Sequence, residues 1–178
     1  MNKILVVLSW MLLLTGCYHV GLPGGRAIAF DEVVITNSTR EPSLSRQFEM
    51  SFKEQVSVTP GIGGKASGNA CNYNLDIELV SVRNLSIARA EVRDRKSRDG
   101  RDAAYQTVLN RVELAVKLKA YNQDQPIHPD QPTYEHTFIG RGDVPRMHDR
   151  EVPLQAAYKQ AADDAARQII AAIAELNP

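Results

Sequence analysis

After a β-favouring stretch over residues 26–36, apolar positions of this 178-residue chain recur every fourth residue over 44–56 and then alternate with polar ones over 73–90 and 103–121. Residues 26–36 read as a strand, because Ile28, Phe30, Val33, Val34 and Ile35 supply β-branched and aromatic content. The stretch Asn37-Ser38-Thr39-Arg40-Glu41-Pro42 is turn chemistry. From residue 43 the period changes. Leu44, Phe48, Phe52 and Val56 form one stripe on a helix, opened by Pro42 and capped by Ser43. A stripe of that kind must lie on something apolar, so this helix is expected to cover a sheet.

Residues 59–72 contain Pro60, Gly61, Gly63, Gly64 and Gly68 and read as a loop. Alternation sets in over 73–90, with Leu75, Ile77 and Leu79 on one face and Asn74, Asp76 and Glu78 on the other. It is clearest over 103–121, where Val112, Leu114, Val116 and Leu118 face inward and Arg111, Glu113, Lys117 and Lys119 face water. Pro126, Pro129 and Pro132 mark another turn, after which Tyr134, His136 and Phe138 start a strand that ends near Val144. Pro153 opens a last helix over 154–176, whose buried face is Leu154, Tyr158, Ala161, Ala165, Ile169, Ala172, Ile173 and Leu176. The order β-α-β-β-β-α predicts an α+β fold, with two helices packed on one face of a mainly antiparallel four-stranded sheet.

The N-terminus adds an address. Lys3 precedes an apolar run over residues 4–13, broken only by Ser9, and Leu14-Thr15-Gly16-Cys17 follows. The run is too short and too terminal for a mature membrane span and reads as a processed signal. A Leu-type residue, a small residue, Gly and Cys form the pattern that lipoprotein signal peptidase reads; the alternative is an ordinary secretory signal that happens to contain a Cys. On the lipoprotein reading, residues 1–16 are the signal peptide. Residues 17–25 are a Gly/Pro-rich tether acylated at Cys17, and 26–178 form a single domain. Several acyl tails, at ~0.8 kcal/mol per buried methylene, hold such a domain at a membrane. An Asp after the Cys would mark inner-membrane retention, so Tyr18 points to the outer membrane, with the domain facing the periplasm.

Composition then removes several functions. Basic and acidic residues number 21 each, which leaves no global footprint for nucleic acid. His19, His128, His136 and His148 lack ligand spacing, so no metal is expected. Gly61-Ile62-Gly63-Gly64-Lys65-Ala66-Ser67 falls short of a phosphate loop, with Thr59 at the first Gly position and Ala66 where a hydroxyl residue belongs. With Cys17 acylated, Cys71 is the only other thiol, either buried and inert or paired between chains. No acid, base and nucleophile set can be assembled, so neither enzymatic activity nor a cofactor is expected.

One charged segment stands out. Residues 89–102 hold Arg89, Arg93, Arg95, Lys96, Arg98 and Arg101 among Glu91, Asp94, Asp99 and Asp102. Lying between two strands, they form the end of a long hairpin. It is either a solvated tip kept soluble by mixed charge, or a cationic fork for anionic ligands, since paired Arg side chains match phosphate geometry.

The chain resembles the lipopolysaccharide-assembly lipoprotein family (LptE). The resemblance lies in Cys17-Tyr18-His19-Val20 after the lipobox, in Ile28-Ala29-Phe30 opening the first strand, and in Asn37-Ser38-Thr39-Arg40-Glu41-Pro42-Ser43-Leu44 leading into the first helix. The later strands and the Ala-rich last helix fit the same order. The Gly that usually follows the Cys is missing, and the charged 89–102 segment is a departure. The resemblance implies a non-enzymatic subunit of the outer-membrane translocon. Such a subunit plugs and stabilises an LptD-like β-barrel and contacts lipopolysaccharide. On that reading Arg93, Arg95, Lys96 and Arg98 are the candidate contacts to lipid A phosphates. The alternative is a lipid-anchored, periplasm-facing adaptor of another envelope secretion or transport complex.

Overall fold

Four strands lie side by side in chain order, β1 (Ile28–Asn37), β2 (Cys71–Arg93), β3 (Ala103–Asn122) and β4 (Tyr134–Pro145). Helix α1 (Ser43–Val58) joins β1 to β2, and helix α2 (Glu151–Glu175) ends the chain. The computed structural model describes residues 27–63, 70–93, 103–124, 131–145 and 151–176. The expected signal peptide, Cys17 and the expected 17–25 tether lie outside the described residues. The predicted order β-α-β-β-β-α is the observed one, and the sheet is mixed: β1 runs parallel to β2, and the other two pairings are antiparallel. Parallel neighbours need a crossover of a dozen or more residues, which α1 and its flanking turns supply.

Alternation places the core. Leu75, Ile77 and Leu79 of β2 and Val112, Leu114, Val116 and Leu118 of β3 are 0–2% exposed and point to one face. Fully burying each such side chain contributes roughly 1.5–3 kcal/mol. Buried residues of both helices, Leu44, Phe48 and Phe52 of α1 and Ala161, Ala165, Ile169 and Ile173 of α2, join the same cluster. Both helices therefore cover that one face.

Local chemistry differs from expectation at the start of α1. Pro42, not Ser43, is the N-cap, and it makes no side-chain capping bond. The chain is turned instead by Asn37 and Thr39. Asn37 Oδ1 accepts from the Thr39 backbone N–H (2.9 Å) and hydroxyl (2.7 Å), and Asn37 Nδ2 donates to the Glu41 carbonyl (3.0 Å). An Asx turn already fixes the approach, so a cap at Ser43 is not needed. Where α1 ends, Gly61 and Gly63 take φ of +80° and +78°, the left-handed region that favours glycine. This lets Ile28 N–H reach the Gly61 carbonyl and Gly63 N–H reach the Ile28 carbonyl, both at 2.8 Å. Those glycines serve backbone geometry; residues 64–69 of the same loop lie outside the described residues.

Helix α2 buries a wider face than its periodicity suggested. Ala157, Ala162, Ala166 and Ile170 are buried in addition to the expected Tyr158, Ala161, Ala165, Ile169 and Ile173, whereas Leu154, Ala172 and Leu176 are only partly covered. The reason is that α2 packs on several neighbours at once, lying over β4 and β3 and along α1. Its alanines sit very close to the sheet. A Cβ on Gly140 would stand 2.0 Å from the Ala161 carbonyl oxygen, and one on Gly142 2.0 Å from that of Ala157. Across the helix pair, buried Ser51 donates to Asp163 Oδ1 (2.5 Å), whose other oxygen takes Lys159 Nζ at 2.8 Å.

Candidate functional site: the hairpin arm and the outer sheet face

Strands β2 and β3 are far longer than their neighbours. Their ladder runs from Tyr73↔Asn122 to Arg93↔Ala103, while β1 pairs with β2 only as far as Leu79 and β4 pairs with β3 only as far as Leu109. Beyond those points the hairpin is a two-stranded arm that leaves the rest of the sheet. The long hairpin expected from the sequence is therefore present. β2 continues to Arg93, so the connection between the strands is shorter than the charged segment 89–102. Arg93 is the last residue of β2; Arg95, Lys96 and Arg98 lie outside the described residues, as does Cys17.

The sheet face away from the helices carries cross-strand ion pairs. Arg111 holds Asp143 through Nε at 2.7 Å and Nη2 at 3.0 Å. Lys117 meets Glu135 at 2.5 Å and Lys119 meets Asp76 at 3.9 Å. Glu113 lies between Arg83 (3.5 Å) and Arg141 (3.6 Å). These alternate positions are forced onto the solvent face by the burial of the intervening residues. Exposed pairs of this kind contribute at most about 1 kcal/mol each, so their main effect is on register and solubility. The consequence for function is specific. Arg83, Arg111, Lys117, Lys119 and Arg141 each have a carboxylate partner, so these five do not form a set of free cations for an anionic headgroup.

The hydrogen bond from Arg111 holds the Asp143 carboxyl below its ordinary value, and the Lys117 ammonium does the same for Glu135. A carboxylate depressed in the folded state adds stability that is present above its unfolded pKa and lost as pH falls through the folded value. Asp143→Asn is therefore expected to remove part of the stability lost on acidification below roughly pH 4, where unprotected Asp titrates. Urea midpoints at neutral and acidic pH check this; an identical acid loss in parent and variant would show that the pair adds nothing.

Among the described residues, no group of His, Cys, Asp and Glu is placed to hold a metal ion, and no helix is long and apolar enough to cross a membrane. His136 lies on β4 with its ring edge-on to Phe138 at 4.8 Å. Cys71 is a free, buried thiol at the start of β2.

Two features escaped sequence reasoning. Side chains of α2 reach the outer edge of β4: Asp164 Oδ2 accepts from Arg141 N–H (3.1 Å), Gln160 Oε1 accepts from Asp143 N–H (3.3 Å), and Gln168 Nε2 donates to the Ile139 carbonyl (3.1 Å). Residues 160, 164 and 168 are one turn apart on a helix, but nothing in that spacing names an edge strand as their target. The second feature is a cleft of about 630 Å³ between β1 and α1, where the helix touches the strand only sparsely. A signal for it existed. Val33-Val34-Ile35 breaks strict alternation, with Val33 and Ile35 lining the cleft and Val34 on the opposite face.

The fold defines a two-layer α+β domain with one projecting hairpin. No protein-family model matches the chain, and no curated protein matches it. Among solved structures it is similar to a minor lipoprotein from Acinetobacter baumannii, at 12% identity and a TM-score of 0.46, covering 81% of this chain and 94% of that one. It is also similar to rare lipoprotein B from Shewanella oneidensis, at 11% identity and a TM-score of 0.43, covering 82% and 96%.

Proposed function

We propose that this chain is a lipid-anchored envelope protein acting as a structural and binding subunit of lipopolysaccharide transport at the outer membrane. It has no chemistry of its own: it occupies and stabilises an LptD-like translocon barrel and contacts lipopolysaccharide. The observation that carries this reading is the succession in one chain of a lipobox ending at Cys17, a Gly/Pro tether and a single domain with a projecting β-hairpin. Acylation of Cys17 gives the domain its membrane address, and the hairpin gives it reach. Because those five cations of the outer face are already paired, contact with lipid A phosphates falls to the hairpin end, to Arg93, Arg95, Lys96 and Arg98. Guanidinium groups in pairs suit phosphate oxygens there.

A second reading, an adaptor of another envelope secretion or transport complex, is favoured by the mixed charge of the same segment, which also suits protein docking. Co-purification from membranes in mild detergent separates the two. Recovery of a large translocon barrel, with lipopolysaccharide lost from the cell surface on depletion, is the expected result. Recovery of periplasmic partners alone, with normal surface lipopolysaccharide, overturns the translocon reading in favour of the adaptor.

A further inference from the structure

The two edges of the sheet are finished differently. At β4, Gln160, Asp164 and Gln168 of α2 hydrogen-bond the Asp143 and Arg141 N–H groups and the Ile139 C=O, which obstructs further pairing along residues 139–143. At β1, Ile28 is bridged to Ile62, and along residues 30–36 no hydrogen bond joins the backbone to anything on the side away from β2 among the described residues. An open edge is a template for another strand, and folded proteins usually blunt theirs. Here the open edge adjoins the cleft, whose apolar lining is Phe30, Val33, Ile35, Phe52, Val56 and Ile62; Glu49 and Lys53 also line it and neutralise each other as an ion pair at 2.6 Å. Pairing of β1 with β2 shifts between Phe30 and Glu32, and Asp31 and Glu32 are both exposed there, with no ion pair to another described residue.

We propose that β1 is an acceptor edge: an extended segment of a partner protein adds to the sheet as a fifth strand beside β1. Its alternate apolar side chains enter the α1–β1 cleft, and its cationic side chains lie against Asp31 and Glu32. Each part of this description follows from something in the fold. Unpaired backbone groups call for a partner that brings N–H and C=O of its own, which an acyl chain does not. Side chains of a strand project to one face at every second residue, so a cleft running beside an edge accepts alternate positions. Two copies paired edge to edge through β1 would set four carboxylates along one short ladder, and like-charge repulsion opposes that arrangement. A basic, alternating segment meets no such repulsion.

The test uses the full-length protein in mild non-ionic detergent and a fluorescein-labelled peptide of alternating valine and lysine, as long as β1. A counterpart N-methylated at every amide keeps the side chains and charge but cannot donate to an edge. Saturable binding of the first peptide is expected, with the methylated one weaker by at least about tenfold. Amide exchange over residues 30–37 is expected to slow, and the exposed pair of changes Asp31→Lys and Glu32→Lys to weaken binding several-fold. Equal binding of both peptides overturns the proposal, as does slowed exchange confined to other residues. Absence of peptide binding overturns it too; uptake of a fluorescent fatty acid in its place would mark the cleft as a lipid site. The probe carries neither lipid A nor a barrel, so its result is independent of the lipopolysaccharide reading.

Discussion

Phe48→Ala is expected to lower the unfolding free energy by about 3–5 kcal/mol, the usual loss for a buried aromatic truncated to alanine. Phe48 is 0% exposed and stacks on Phe52 at 6.2 Å with an interplanar angle of 22°. Phe52 in turn meets Phe30 of β1 at 6.2 Å. Helix α1 presents one narrow buried stripe, Leu44, Phe48, Ser51 and Phe52, and touches β1 only sparsely. Because α1 is held by its packing along α2, the helix cannot settle into the space left by the missing ring without giving up those contacts. The cavity cost therefore adds to the transfer cost instead of being relaxed away. Phe48→Leu, which keeps most of the volume, is expected to cost under ~1.5 kcal/mol. Val58→Ala serves as a control: Val58 is 65% exposed, and its truncation is expected to change stability by less than ~0.5 kcal/mol. Urea unfolding with unchanged slopes measures all three. A loss below ~1 kcal/mol for Phe48→Ala would mean that this ring does not anchor α1.

The second large effect comes from adding a single methyl group. Gly140→Ala places a Cβ 2.0 Å from the Ala161 carbonyl oxygen and 2.8 Å from both the Ala165 nitrogen and its Cβ. Two of those atoms are helix backbone, so no rotamer change relieves the overlap, and α2 must lift from β4. Overpacking of this kind costs about 1–3 kcal/mol. Lifting α2 also stretches the bonds from Gln160, Asp164 and Gln168 to the β4 edge. The expected signature is therefore double: a lower urea midpoint, and faster amide exchange at Arg141 and Asp143. Gly142→Ala, facing the Ala157 carbonyl at 2.0 Å, is expected to behave alike. Unchanged exchange at Arg141 alongside a normal midpoint would show that α2 tolerates the methyl group.

Both effects bear on what was legible beforehand. The stripe Leu44-Phe48-Phe52 stands in the sequence at helical spacing, and three of its members are buried as that spacing requires. The buried rows of β2 and β3 were readable in the same way, because alternation reports directly which side chains share a face. Gly140 and Gly142 carried no such meaning. A glycine in a strand marks close approach only once the approaching element is known. The same holds for Ala157, Ala162, Ala166 and Ile170. Their burial reflects more than one neighbour for α2, which one helical period cannot encode. Of the candidate site, the hairpin was legible from two alternating segments flanking a charged stretch. Of the β1 cleft the sequence carried only a trace, the broken alternation at Val33-Val34-Ile35, since the cleft exists because α1 stands away from the strand.

The sequence by itself determined the order β-α-β-β-β-α, the inward rows of the central strands and the long hairpin, and it carries the short motif Leu14-Thr15-Gly16-Cys17. Each of these is written in neighbouring residues, as a period of two or about four or as a short motif. Only the tertiary structure decided that β1 runs parallel to β2, that α2 side chains bond the β4 edge at residues 139–143, and that the β1 edge has no partner among the described residues where it borders a largely apolar cleft. Those outcomes depend on how elements far apart in the chain approach one another. Backbone groups along a strand look the same in sequence whether an α2 side chain caps them or nothing does.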